Sequence, residues 1–222
     1  MFLCATGGQR DWAQVVCNGS VLCVAAILYA MEGGIGESSL VFDSASPHWA
    51  TLYLLAGLAA VACCCGDTWA SEVGTVIGGE PRLITSGRRV PKGTNGGVTL
   101  TGIVVSLAGG LLVGVAFYCA ELLLSSSSEQ SIGHQNSMQW IAIIIGGVAG
   151  VYGSAVDSIL GATLQFSGYC TQSKRIVSEP GLNVRHISGV SVLSNNMVNL
   201  LSSLITSVTI PMLLYLMWDH LQ

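Results

Sequence analysis

Charge is scarce in this sequence. Only 9% of its residues are Asp, Glu, Lys or Arg, against about 25% in an average soluble domain. With 51% apolar residues and a mean hydropathy of +0.64, a water-soluble fold would lack the polar surface to cover itself. The net charge of −4 gives no support for nucleic-acid binding. Paired metal-ligand spacings are missing too. There are eight cysteines but no CxxC, and Cys17, Cys23, Cys63, Cys64, Cys65 and Cys119 all fall in apolar runs. That excludes an ordinary zinc site and favours small apolar packing residues, with palmitoylation of the Cys63–Cys65 run as a weaker alternative. The four histidines stand apart, and no Ser-His-Asp or Cys-His arrangement is readable. The first ten residues show no signal-peptide pattern.

Long apolar runs are present instead, and each needs about 20 residues to cross a bilayer. Five spans are expected, at Trp12–Met31, Trp49–Cys65, Val98–Cys119, Met138–Leu160 and Met197–Trp218. Trp12, Trp49, Trp140 and Trp218 stand at span ends, where interfacial indoles belong. The second span is short, and its helix can continue through Gly66–Val73 if shielded from lipid. Pro211 should kink or interrupt the fifth. Glycine is abundant, at 28 residues, and Gly110 with Gly114 and Gly146 with Gly150 sit four apart, as helix-packing notches do. The expectation is an all-α membrane protein, a polytopic bundle of about five helices forming a single domain.

The few basic residues are placed with strict alternation. Arg10 precedes the first span. Arg82, Arg88, Arg89 and Lys92 lie between the second and third, and Lys174, Arg175 and Arg185 between the fourth and fifth. The other two loops contain no Lys or Arg. The positive-inside rule then makes the basic loops cytosolic and the C-terminal tail not.

Three stretches on that basic side carry groups suited to chemistry. In GDTWASEVG, residues 66–74, Asp67 and Ser71 share a helical face and Glu72 lies near it. Carboxylates and a hydroxyl at the end of a span suit Mg²⁺, a hard ion taking oxygen ligands; the plainer reading of Asp67 is a structural cap or pair. In PRLITSGRRVPKGTNGG, residues 81–97, Arg88, Arg89 and Lys92 precede Gly93, Thr94, Asn95, Gly96 and Gly97 just before a helix start. Cations, close backbone approach and free N–H groups together make a phosphate-binding composition, although GxxxxGK[ST] is absent. A positive-inside loop with a Thr or Asn cap is the alternative. In the fourth span, Asp157 within GSAVDS either shares a metal with Asp67 or pairs helices. Gln14, Asn18, Asn196 and Asn199 read as amides tying helices together.

Together these segments, with Gln14-Val15, Asn18-Gly19, GSAVDSILGATLQFSGY (153–169) and HISGVSVLSNNMVNLLSS (186–203), resemble the transmembrane protein 19 family. The resemblance spans nearly the whole chain. That family is similar to the plant phytyl-phosphate kinases and, more remotely, to membrane CTP-dependent polyprenol kinases and cytidylyltransferases. The resemblance implies phosphoryl transfer from CTP or another nucleoside triphosphate to an isoprenoid phosphate. In that reading Asp67 and Asp157 hold Mg²⁺, Glu72 assists, and Arg88, Arg89, Lys92 and Gly93–Gly97 take the nucleotide phosphates. An endomembrane such as the endoplasmic reticulum is the expected location. Family members begin with further apolar sequence before the QVxxNG helix, so N-terminal helices of the family are expected to be missing from residues 1–222. The competing reading is a non-enzymatic transporter or scaffold, which would place polar residues in the far half of the bilayer as well.

Overall fold

The computed structural model describes residues 12–32, 40, 49–125 and 139–221, with backbone alone for 125 and 218–221. Five helices dominate it: α1 Trp12–Met31, α2 Trp49–Ile77, α3 Leu100–Ser125, α4 Ile141–Leu164 and α5 Asn195–Leu221. All five are long and apolar enough to span a membrane, and this is a multi-pass integral membrane protein. Helices satisfy every backbone group internally, which the hydrocarbon layer requires. The expected loops around His48 and His134, the Met138 start of the fourth span and the residues up to Arg10 lie outside the described residues.

α2 is the central helix and touches all four others. Its core face, with Leu55, Leu58, Ala59 and Ala62, packs against Ala142, Ile145 and Ala149 of α4 and Ile210 of α5. Glycines let α2, α3 and α4 approach backbone to backbone. A Cβ on Gly110 would lie 2.2 Å from the Gly146 carbonyl oxygen, and one on Gly150 would lie 2.7 Å from that of Ser106. The α3–α4 glycine notches expected from spacing are therefore packing positions. A Cβ on Gly66 would meet the Gly150 carbonyl at 2.7 Å, so α2 and α4 cross there. In lipid, with no hydrophobic drive between helices, such close packing is what holds a bundle together.

Several boundaries move from their expected places. α2 runs on through Gly66–Val73 to Ile77, because Gly66 and Gly74 are buried against α4 and α3. Val98 belongs to a strand, and α3 starts two residues later. α5 is continuous across Pro211. Pro211 is buried, and neighbouring helices make such prolines tolerable in membrane spans.

The loops at the basic end are folded. Between α2 and α3, β1 Arg82–Leu83 pairs antiparallel with β2 Gly97–Val98. Between α4 and α5, β3 Ser167–Cys170 is the middle strand of a three-stranded antiparallel sheet with β4 Arg175–Val177 and β5 Val184–Ser188. The segment after β5 turns back onto α4, where the N–H groups of Val190, Val192 and Leu193 donate to the carbonyls of Thr163 and Leu164. These are carbonyls the helix end would leave orphaned. The termini of α2 and α4 and the starts of α3 and α5 all meet this end, as the alternation of basic loops requires. Single cysteines introduced at Ser126 and at Arg175 should label from opposite sides of the membrane in an otherwise unreactive background. Labelling of both from one side would refute the alternating topology.

Candidate functional site

Asp67 and Asp157 come together although 90 positions separate them. The α2–α4 crossing at Gly66 and Gly150 does this. Asp67 follows Gly66 directly, and Asp157 lies two turns beyond Gly150. Asp67 accepts a hydrogen bond from Ser154 and interacts electrostatically with Asp157. Both carboxylates are half-buried. Ser202 of α5 donates to Asp157 Oδ2 at 3.3 Å, and the Asn199 amide, turned to satisfy its neighbours, donates to the same oxygen at 3.2 Å. In the opposite orientation the same amide would donate instead to Asn18 Oδ1 of α1, at 3.5 Å.

Asp67, Thr68, Asn18, Asn199 and Ser202 line a cavity of about 10 Å³, close to the space of one water. Four helices thus bring hard oxygen donors to one point, at the basic end of each. Two carboxylates meeting in low dielectric are relieved either by a counter-charge or by a proton held on one of them. Among the described residues no Lys or Arg supplies the counter-charge, the one ion pair there being the surface pair of Arg89 and Glu80. No cluster of three His, Cys, Asp or Glu side chains is found among the described residues either. A cation here would rest on two carboxylates and neutral oxygens, with space inside the cavity for about one water. Mg²⁺ uses one or two carboxylates plus substrate phosphates, so a bound phosphate would have to supply further oxygens of its shell. The donor chemistry fits the ion.

The Gly-rich loop behaves differently from a free phosphate cradle. Lys92, Gly93 and Gly97 line a second cavity of about 250 Å³, with Thr75 and Gly74 of α2, Ser106 of α3 and Ser154 and Ser158 of α4. Ser154 therefore stands between this cavity and the Asp67 carboxylate. Lys92 Nζ donates to the Thr75 carbonyl at 2.9 Å, a contact favoured at a helix C-terminus. Thr94 and Asn95 are engaged in the loop's own architecture. Thr94 Oγ1 donates to the Pro91 carbonyl, while Asn95 donates twice, from its backbone N–H to Ser167 Oγ and from its side-chain amide to the Phe166 carbonyl. Asn95 thereby pins the α2–α3 loop to the start of β3, and Thr94 closes the loop on itself. Gly96 has φ +75°, and a Cβ there would lie 2.4 Å from Ala162 Cβ and 2.5 Å from the Ser158 carbonyl. It is a close-approach position against α4.

Arg88 and Arg89 line neither cavity. Arg89 pairs with Glu80 at 3.3 Å, both about 70% exposed. Glu72 is exposed and likewise lines neither cavity. Ser71 bonds back to the Thr68 carbonyl on the exposed side of α2. Asp67 and Asp157 meet each other, while Lys92, Gly93 and Gly97 line a separate cavity that Ser154 divides from them, and Arg88, Arg89 and Glu72 line neither cavity. Asn18 and Asn199 do tie helices, but they also border the carboxylate pair. Their spacing inside apolar spans signalled a polar contact; their shared partner was not readable from spacing.

Residues 3–207 match the integral membrane protein family DUF92. The chain belongs to this family. It is 42% identical over 202 residues to Protein PGR of Arabidopsis thaliana, covering 90% of this chain and 68% of that protein. It is 31% identical over 122 residues to an uncharacterized membrane protein of the archaeon Methanocaldococcus jannaschii, and 32% identical over 159 residues to one from the cyanobacterium Synechocystis. Those matches take in 54% and 72% of this chain but only 43% and 49% of the two relatives. No solved structure matches the chain.

The loop geometry has a direct consequence. Gly96→Val should expose the Arg88–Lys92 segment to trypsin in detergent, because the added side chain has no room and φ is unfavourable for a β-branched residue. Arg89→Ala should leave protease resistance and melting within about 1 kcal/mol of wild type, as for other exposed ion pairs. Equal resistance of Gly96→Val and wild type would disprove the packing role.

Proposed function

We infer that this DUF92 protein is a nucleotide-dependent kinase of isoprenoid phosphates, working at the basic end of its helix bundle. The observation that carries the reading is the meeting of Asp67 and Asp157 with Asn18, Asn199 and Ser202, one serine away from the Lys92 cavity. The resemblance of GDTWASEVG and PRLITSGRRVPKGTNGG to the phytyl-phosphate kinase group supplies the reaction class.

In the reaction an oxygen of the lipid phosphate attacks the γ-phosphorus of the nucleotide. The bond from that phosphorus to the β-bridging oxygen breaks, and the nucleoside diphosphate leaves. Asp67 and Asp157 would hold Mg²⁺, which when bound neutralises charge on the phosphates. Asn199 and Ser202 orient Asp157 by donating to one of its oxygens, and Ser154 orients Asp67. Lys92 supplies the positive charge in the neighbouring cavity. At about 250 Å³ that space falls below the roughly 300–1,000 Å³ of pockets for drug-sized ligands, so it suits phosphate groups while base and sugar stay outside. Phosphoryl transfer depends mainly on positioning and charge neutralisation, and this residue set offers both.

The alternative is a transporter or scaffold. The carboxylate pair and its oxygen partners sit in the basic-end half of their helices, which favours chemistry at one surface over a path through the membrane. Asp67→Asn keeps the side-chain volume and removes a charge. It should cut lipid-phosphate phosphorylation by more than the roughly 10–100-fold that outer-shell changes cost metal sites, with an unchanged melting profile in detergent. Lys92→Ala should chiefly raise the KM for nucleotide. Equal turnover by active wild type and Asp67→Asn would remove the metal role. Absence of transfer by wild type with any nucleoside triphosphate and prenyl phosphate would put the non-enzymatic reading first.

A further inference from the structure

Below Asp67, between α1, α2 and α5, lies an apolar groove of about 480 Å³. α1 contributes Val21 and Val24, α2 contributes Ala56, and α5 contributes Leu201, Leu204 and Val208. Its upper neighbour is the cavity of Asn18, Asp67, Asn199 and Ser202, borne by the same α1, α2 and α5. α1 and α5 pass from polar to apolar lining within about a turn, Asn18 to Val21 on α1 and Asn199 and Ser202 to Leu201 and Leu204 on α5, whereas on α2 about three turns separate Asp67 from Ala56, with Cys63 between. At the far end Trp49 stacks on Tyr53, with ring centroids 6.4 Å apart, and both rings line the groove. From Asp67 to Tyr53 is 14 residues of helix, about 21 Å at 1.5 Å per residue.

We propose that this groove holds the single hydrocarbon tail of the lipid phosphate whose head reaches Asp67 and Asp157, and that the Trp49–Tyr53 stack limits the length of tail accommodated. The proposal rests on the kinase reading for the chemistry of the head. Its own support is geometric. At one end the groove adjoins, on the same α1, α2 and α5, the oxygen-rich cavity of Asp67, where a phosphate with its divalent ion would sit; at the other the Trp49–Tyr53 stack would stop a chain. Between them its lining is nearly all aliphatic, and the helices that form it are membrane spans. A tail lying there puts the phosphate at the carboxylates without leaving the bilayer.

The test is photo-crosslinking of the full chain in phosphatidylcholine nanodiscs with Mg²⁺ and a prenyl phosphate bearing a diazirine in its tail, mapped by mass spectrometry. Crosslinks should fall on groove residues such as Val24, Ala56 and Leu204. Excess unlabelled geranylgeranyl phosphate should suppress them, and excess phosphatidylcholine should not. Ala56→Phe and Leu201→Phe, each checked by melting, should reduce labelling roughly tenfold, about 1.4 kcal/mol of binding. Tyr53→Ala should shift preference toward longer tails in a competition series. Labelling spread over α3, labelling equally suppressed by phosphatidylcholine, or a groove already crosslinked to another segment of the chain would overturn the proposal. Groove labelling by a protein without phosphoryl-transfer activity would uphold the lipid site and defeat only the kinase reading.

Discussion

The crossing of α2 and α4 at Gly66 and Gly150 is the contact on which the arrangement of the protein depends. No side chain separates the two helices there: a Cβ on Gly66 would intrude on the Gly150 backbone. Gly150 is pressed from its other side by α3, through Ser106 and Gly110, so three helices are fixed to one point. Close packing is the available adhesive in lipid, where burial of apolar surface between helices gains little. The same contact decides where the chemistry lies. One residue past Gly66 comes Asp67, and three residues past Gly150 comes Gly153, against which Cys63 packs. Ser154 and Asp157 follow on α4. Two charges that are costly at membrane depth are thereby held face to face.

Around that point the structure separates two environments on either side of the α2–α4 seam. Toward α3 and the basic loop is the cavity with Lys92, Gly93 and Gly97. Toward α1 and α5 are the amides and hydroxyls of Asn18, Asn199 and Ser202, with the apolar groove beyond them. A water-soluble co-substrate and a lipid could reach the carboxylates from different directions. Such a division suits a reaction joining a partner from the aqueous phase to one from the bilayer.

Much of the fold was legible because the bilayer restricts the options. Apolar run length marked five spans, Trp49 and Trp140 marked ends, and the alternation of basic residues put the two folded loops at one end of the bundle. The small sheets were not legible. β1 and β2 are two residues each, and their pairing is set by loop docking onto α4. Asp67, Asp157 and Lys92 were singled out by their rarity at span ends. Arg88 and Arg89 were singled out by composition, which cannot say which way a side chain leaves a turn; Arg89 leaves toward Glu80. Gly96 illustrates the same limit, since glycine for a ligand's approach and glycine for a helix's approach look alike in sequence. Asn18 and Asn199 carried a signal for helix pairing, and the structure adds a carboxylate between the paired helices.

Shared ownership of one cation by Asp67 and Asp157 is the central claim, and metal binding tests it without any assumption about substrate. Mn²⁺ suits the same carboxylate and water ligands as Mg²⁺ and is visible by electron paramagnetic resonance. Purified wild-type protein should bind one Mn²⁺, displaceable by Mg²⁺. Asp67→Asn and Asp157→Asn should each lose that ion, and the double variant should be no worse than either alone, because groups acting as a unit are not additive. Undiminished Mn²⁺ binding in either single variant, or losses that simply add, would contradict a metal held jointly by the two helices.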